Sequence, residues 1–113
     1  MSETRTRFAY LLVINTCPVQ LPAKLVQDHI YGDGQLGLEY TANLGREVTS
    51  SQKPLDVIMR EVDWQLERHP KITGVYLIGD FHDEVFESLC REIARRTHLP
   101  VWALRSHELL AGA

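Results

Sequence analysis

The sequence predicts an α/β domain: a three-layer sandwich in which a mostly parallel four-stranded sheet lies between helices. Three observations carry this. The runs 8–14 (Phe-Ala-Tyr-Leu-Leu-Val-Ile) and 74–79 (Gly-Val-Tyr-Leu-Ile-Gly) are continuously apolar rather than alternating, the pattern of strands covered on both faces. Two later segments repeat apolar residues at helical spacing. Strand and helix patterns alternate along the chain, as parallel crossover units require.

The first strand, 8–14, ends at Asn15-Thr-Cys-Pro18, where the proline cannot continue a ladder. Pro22 suits the first turn of a helix reaching about Tyr31. Gly32-Asp-Gly34 then breaks the chain, and 36–41 (Leu-Gly-Leu-Glu-Tyr-Thr) alternates like a second strand. The stretch 43–53 has no periodicity and reads as the longest and most mobile loop, a frequent place for function. Leu55, Ile58, Met59, Val62 and Leu66 predict a helix over 54–69, with Ser50 or Ser51 as cap and Pro70 as stop. After the strand 74–79, Val85, Phe86, Leu89, Cys90 and Ile93 mark one face of a helix to about Thr97. Residues 100–104 give a last strand, and Ser106 can cap a final turn or two.

Right-handed crossovers leave few topologies for this order. The favoured one is a flavodoxin-like or Rossmann-like sheet of strand order 2-1-3-4, forming a single domain over 1–113 with 1–7 as a flexible N-terminus. The alternative is an α+β sandwich in which 36–41 pairs antiparallel at an edge. Leu12, Ile14, Ile58, Val62, Leu77, Phe86, Leu89 and Ile93 are expected to be buried together, because both continuous strands need covering.

Composition narrows the function. Of 113 residues, 44% are apolar and 24% charged, ordinary values for a globular domain. Twelve basic against fifteen acidic residues give a net charge of -3. That balance, with no run of five like charges, argues against non-specific nucleic-acid binding and against docking on an acidic membrane. Two cysteines, without metal-ligand spacing or disulfide-scaffold density, suit a reducing cytoplasm. The first apolar run is too short to span a bilayer and has no cleavage site after it, so no signal peptide is expected.

Open parallel sheets bind ligands beyond the carboxyl ends of their strands, where the winding direction switches. The expected order puts Asn15, Thr16 and Cys17 opposite Asp80, Phe81, His82 and Asp83. The loop bearing Arg46, Ser50, Ser51 and Lys53 hangs over the same edge, and Arg105, Ser106 and His107 follow the last strand. Gly79-Asp-Phe-His-Asp83 resembles the Gly-Asp-x-x-Asp element of metal-dependent phosphoesterases. That resemblance implies Asp80, His82 and Asp83 as ligands of a divalent ion, Mg²⁺, Mn²⁺ or Zn²⁺, that activates water. The chain departs from it in having Asn15-Thr-Cys17 where an Asp-x-His is required, and no downstream Asn-His. Against it stands a plainer reading: Asp80 caps the following helix, Asp83 and Glu84 favour its positive end, and His82 is solvated.

Cys17, at a strand end before Pro18, has the position of a reactive thiol. A phosphatase-type anion loop would place an arginine five or six residues on, and positions 22 and 23 are Pro and Ala. Cys90 falls on an apolar stripe and reads as core. The hydroxyls and cations of 46–53 suit an anion, but neither a P-loop nor a dinucleotide glycine pattern occurs. His29, His69 and His98 share no ligand spacing; Trp64 and Trp102 are expected in the core or a subunit interface.

The leading expectation is a cytoplasmic domain that binds a small anionic ligand, nucleotide-like in chemistry, or a protein partner, and acts through binding rather than turnover. No cofactor is required. Its ligand-binding residues would be Asn15, Thr16, Cys17, Arg46, Ser50, Ser51, Asp80, His82 and Arg105, in a site shared across a homodimer. The alternatives are a metal-dependent phosphoester hydrolase using Asp80, His82 and Asp83, and an inhibitor or adaptor with an acidic surface.

Overall fold

The computed structural model describes residues 10–18 and 38–111. Their elements are β1 (Tyr10–Asn15), β2 (Leu38–Asn43), α1 (Gly45–Thr49), α2 (Pro54–Arg68), β3 (Gly74–Gly79), α3 (Asp83–Thr97), β4 (Val101–Arg105) and α4 (Ser106–Ala111). The strands form one sheet in the order β2-β1-β3-β4, with every neighbouring pair parallel. The fold is α/β with the strand order read from the sequence. The antiparallel alternative is overturned, since Tyr10 pairs with Leu38 and Asn15 with Asn43 in one parallel register. β2 runs to Asn43, two residues past the end its local alternation suggests, because pairing with β1 carries it there. The helix expected over 22–31, and residues 1–7, lie outside the described residues.

The continuous apolar runs are explained by burial. In β1, Leu11 to Ile14 are all buried, and in β3 so are Val75, Leu77 and Ile78. Side chains of a strand alternate between faces. On one face Leu12, Ile14, Val75 and Leu77 pack with Ile58, Met59 and Val62 of α2 and Phe86, Leu89 and Ile93 of α3. All eight residues expected to share a core lie in that cluster. On the other face Val13, Ile78, Leu104 and Cys17 form a second, smaller cluster flanked by Tyr76.

Helix ends follow local chemistry, with some departures from expectation. The stretch 43–53 is not simply a loop, because it contains α1, whose Val48 N–H donates to the Leu44 carbonyl at 2.8 Å. Ser50 and Ser51 do not cap α2. Lys53 occupies the capping position without a side-chain bond, and Pro54 begins the helix, needing no donor partner there. Ser51 Oγ instead accepts the Lys53 N–H at 3.0 Å, and Ser50 Oγ donates to the Arg46 carbonyl at 2.9 Å. α3 ends at His98 in the left-handed region with φ 59°, its N–H donating to the Ala94 carbonyl at 2.8 Å.

Val85, assigned inward by the sequence, and Trp64 and Trp102, expected in the core or a subunit interface, are exposed. Val85, expected on the apolar stripe of α3, is 42% exposed, because it sits beside Phe86 where only one of the two can face the sheet. Trp64 and Trp102 are 50% and 44% exposed and belong to no core. Arg68 covers the Trp64 ring at 4.7 Å, and Trp102 stacks on Tyr76 at 5.6 Å.

Leu77→Ala and Phe86→Ala are expected to cost about 2–5 kcal/mol each in urea unfolding. Val85→Ala should stay within about 0.5 kcal/mol. Equal losses at Phe86 and Val85 would contradict this placement of α3.

Candidate functional site

β1 and β3 are the neighbours between which the winding direction switches, so their carboxyl ends define the site. Thr16 ties the two ends together: its N–H and its Oγ1 both donate to the Ile78 carbonyl at 2.8 Å. The neighbouring Gly79 makes room for this, as a Cβ there would lie 2.4 Å from Thr16 Oγ1. Asn15 organises the other side. Its Oδ1 accepts the Cys17 N–H at 3.0 Å, its Nδ2 donates to Asn43 Oδ1 at 3.1 Å, and its carbonyl accepts the Leu44 N–H at 2.8 Å. α1 then passes so close to the end of β1 that a Cβ on Gly45 would lie 2.0 Å from the Cys17 carbonyl oxygen.

Asp80 is not the cap of α3. His82 holds that capping position, exposed and without a side-chain bond, and Asp80 turns to the end of β4 instead. Ser106 Oγ donates to Asp80 Oδ2 at 2.6 Å and Ser106 N–H to Oδ1 at 3.3 Å. Cys17 Sγ donates weakly to the same Oδ2 at 3.8 Å. A carboxylate accepting three donors thus links β1, β3 and α4. Burial pushes the Cys17 thiol above its ordinary range; the Ser106 contact opposes this, and the Asp80 charge and hydrogen bond add to it. Cys17 is therefore a neutral thiol near pH 7, the opposite of an activated nucleophile.

Arg105 is engaged by its own fold. It donates to the Phe81 carbonyl at 2.6 Å, pairs with Asp83, and lies 5.1 Å over the Phe86 ring. Asp83 and Glu84 occupy the first turn of α3, where acidic groups favour the helix dipole. Among the described residues, no three His, Cys, Asp or Glu side chains are grouped to hold a metal ion. Asp80, His82 and Asp83 thus leave the end of β3 together but do not converge.

Two recesses flank the end of β1. The larger, about 300 Å³, is lined by Asn15, Cys17, Pro18, Asn43, Gly45, Arg46 and Glu47. The smaller, about 200 Å³, is lined by Thr16, Cys17, Pro18, Val48, Thr49, Asp80 and Phe81. Of the residues expected at a ligand, Asn15, Cys17 and Arg46 meet in the first, and Thr16, Cys17 and Asp80 in the second. Ser50, Ser51, His82 and Arg105 line neither. Asn43 and Glu47 were not foreseen. A strand ending at Thr41 puts Asn43 in a loop, whereas the parallel register brings it beside Asn15.

Compared with protein-family models, with curated proteins and with solved structures, the chain matches none.

The Asp80–Ser106 bond is expected to show in a double-mutant cycle. Asp80→Ala and Ser106→Ala should each cost about 1 kcal/mol, and the double variant little more than either alone. Additive losses would mean the two groups do not interact. Alkaline stability tests the thiols. Burial raises both Cys17 and Cys90 above the usual thiol value of 9.0 and Tyr76 above 10.0. The unfolded chain therefore loses these protons first, and stability should fall as pH rises above about 9. In the Cys17→Ser variant the loss should be shallower.

Proposed function

We propose that this chain binds a small anionic ligand, nucleotide-like in chemistry, in the recess at the carboxyl ends of β1 and β2, and works through that binding rather than through turnover. The observation that carries the reading is Arg46. Its exposed guanidinium lies on the recess lining and makes no ion pair among the described residues. A planar guanidinium suits the oxygens of a phosphate or carboxylate, which it holds with two parallel hydrogen bonds. Asn43 sits beside it with Oδ1 already accepting from Asn15, so its own amide N–H groups face the role of donors to a ligand. Glu47, on the same lining, accepts hydroxyls such as those of a sugar. A volume near 300 Å³ is at the lower end for small-molecule sites and fits a mononucleotide or a phosphorylated metabolite better than a larger cofactor.

The absence of turnover in this proposal rests on the groups that would have to react. Cys17 is held as a thiol, Asp80 accepts from Ser106, and Asp83 pairs with Arg105. Each is already engaged in joining strand ends. Among the described residues no helix is long and apolar enough to cross a membrane. With both cysteines free, a reducing cytoplasm is the compartment we propose.

Thermal unfolding with inorganic phosphate, AMP, ADP and ATP tests the reading. A ligand at about one hundred times its Kd stabilises by about 2.7 kcal/mol. The rise in Tm should weaken with added salt and disappear in Arg46→Ala. A rise that survives in Arg46→Ala would move the site elsewhere, and no rise with any of these anions would end the proposal.

A further inference from the structure

The two recesses at the end of β1 are neighbours that share a wall. Both are lined by Cys17 and Pro18, and α1 runs past both, with Gly45, Arg46 and Glu47 on the larger and Val48 and Thr49 on the smaller. Arg46 and Thr49 are three residues apart, about 4.5 Å along a helix axis. That is the reach of a ribose between its phosphate and its base. A ligand lying along α1, past the exposed Pro18, therefore passes from one recess into the other. Joined, recesses of about 300 and 200 Å³ come within the usual size of a small-molecule site.

The smaller recess differs in chemistry from the one bearing Arg46. Its apolar walls are Pro18, Val48 and Phe81. Phe81 is held in place: its ring meets Phe86 edge-on at 5.7 Å, it packs against the main core, and its carbonyl accepts from Arg105. The ring also lies over Gly79, where a Cβ would be 2.9 Å from it and 2.4 Å from Thr16 Oγ1. Phe81 and the Thr16 hydroxyl thus stand side by side over a bare backbone. A fixed aromatic face of this kind suits a planar ring, which stacks on it.

Hydrogen-bond sense then narrows the ring. Thr16 Oγ1 has given its hydrogen to the Ile78 carbonyl, so it can only accept from a ligand. Asp80 Oδ2 is filled by Ser106 Oγ and Cys17 Sγ, whereas Oδ1 takes only the long Ser106 N–H contact at 3.3 Å and keeps a further acceptor position. Thr49 carries a hydroxyl that can turn either way. The oriented groups accept, and a base that fits them must donate. Guanine presents two adjacent donors, its N1–H and its N2 amino group, on one edge. Adenine and cytosine set an acceptor beside a single amino group, and uracil has one N–H between two carbonyls.

We infer that the ligand is a guanine mononucleotide, its phosphate on Arg46 in the larger recess and its base on Phe81 in the smaller, where Asp80 and Thr16 read the donor edge. This rests on the anion reading of the larger recess and extends it to the base.

Calorimetric titration of the full chain with inorganic phosphate, ribose 5-phosphate, GMP, IMP and AMP separates the two readings, because the first two probes carry no base. GMP should bind about tenfold more tightly than AMP or ribose 5-phosphate, the worth of one added hydrogen bond, with IMP, which lacks the N2 amino group, in between. Asp80→Asn, with folding checked by circular dichroism, reverses one group. Ser106 Oγ–H keeps the amide oxygen at the Oδ2 position, so an NH2 replaces Oδ1 and a donor stands where an acceptor was. That variant should lose the preference for GMP and gain affinity for xanthosine monophosphate, whose C2 carbonyl replaces the amino group. Phe81→Leu, which keeps an apolar wall without a ring face, should weaken GMP more than ribose 5-phosphate, and with the parent series it decides the matter even where Asp80→Asn does not fold. Equal affinity for GMP and ribose 5-phosphate, a preference for AMP, or a GMP preference that survives in folded Asp80→Asn would overturn the guanine assignment and leave the anion site standing. No binding of any probe, phosphate included, would end both.

Discussion

The burial of β1 and β3 on both faces is the constraint from which the rest of the structure follows. Leu12, Ile14, Val75, Leu77 and Ile78 are at most 1% exposed, and such strands have no solvent face to carry polar residues. Two consequences are immediate. The helices must pack onto the sheet with apolar stripes, which α2 and α3 supply from one side through Ile58, Val62, Phe86 and Ile93. Polar chemistry is excluded from the strands' length and gathers where they end. Asn15, Thr16 and Asp80 are polar because they are the first residues at or past those ends.

Most of what gathers there serves the fold itself. A parallel sheet has no hairpins, so nothing local holds neighbouring strand ends in register. Here side chains do it. Thr16 bonds to the carbonyl of Ile78, Asn15 to Asn43, and Asp80 to Ser106. Together these join β1 to β3, β1 to β2 and β3 to α4. Arg105 adds a link from β4 to the loop after β3 through Phe81 and Asp83. A polar residue at a strand end therefore has a structural role to discharge before a ligand is considered, and Arg46 stands out because its side chain makes no ion pair among the described residues.

That distinction explains what could be read from the sequence. The strand order was legible because continuous apolar runs, helical stripes and crossover handedness each reduce the choices, and Leu77 or Ile58 admits no other setting. The location of the polar edge followed from topology alone. Which residue bonds which did not. Asp80 three residues before the start of α3, ahead of Phe81 and His82, looks like the approach to a capped helix, and only the position of Ser106 across β4 diverts it. Ser50 and Ser51 look like caps for the same local reason, yet Pro54 starts α2 without one. Val85 and Phe86 are indistinguishable in polarity, and a rotation of one helical step decides which is buried. Each of these outcomes depends on a distant partner, which a local pattern does not encode.

The two edges of the sheet divide the molecule's remaining freedom. At β2 the outer strand exposes Thr41 and Asn43, and the recess bearing Arg46 opens beside it. At β4 the outer strand is apolar to its last residue, and among the described residues nothing pairs with the outward backbone of Ala103. Strands in a sheet are spaced by roughly 4.8 Å, so β4 lies about 10 Å from β1. A ligand at the β1 and β2 ends would therefore lie away from the outer edge of β4. Among the described residues Asp80 bridges the two: it contacts Cys17 at the recess and Ser106 at the end of β4 through the same carboxylate oxygen. A shift at Cys17 changes what that oxygen offers Ser106, which places the link between the two edges on one residue.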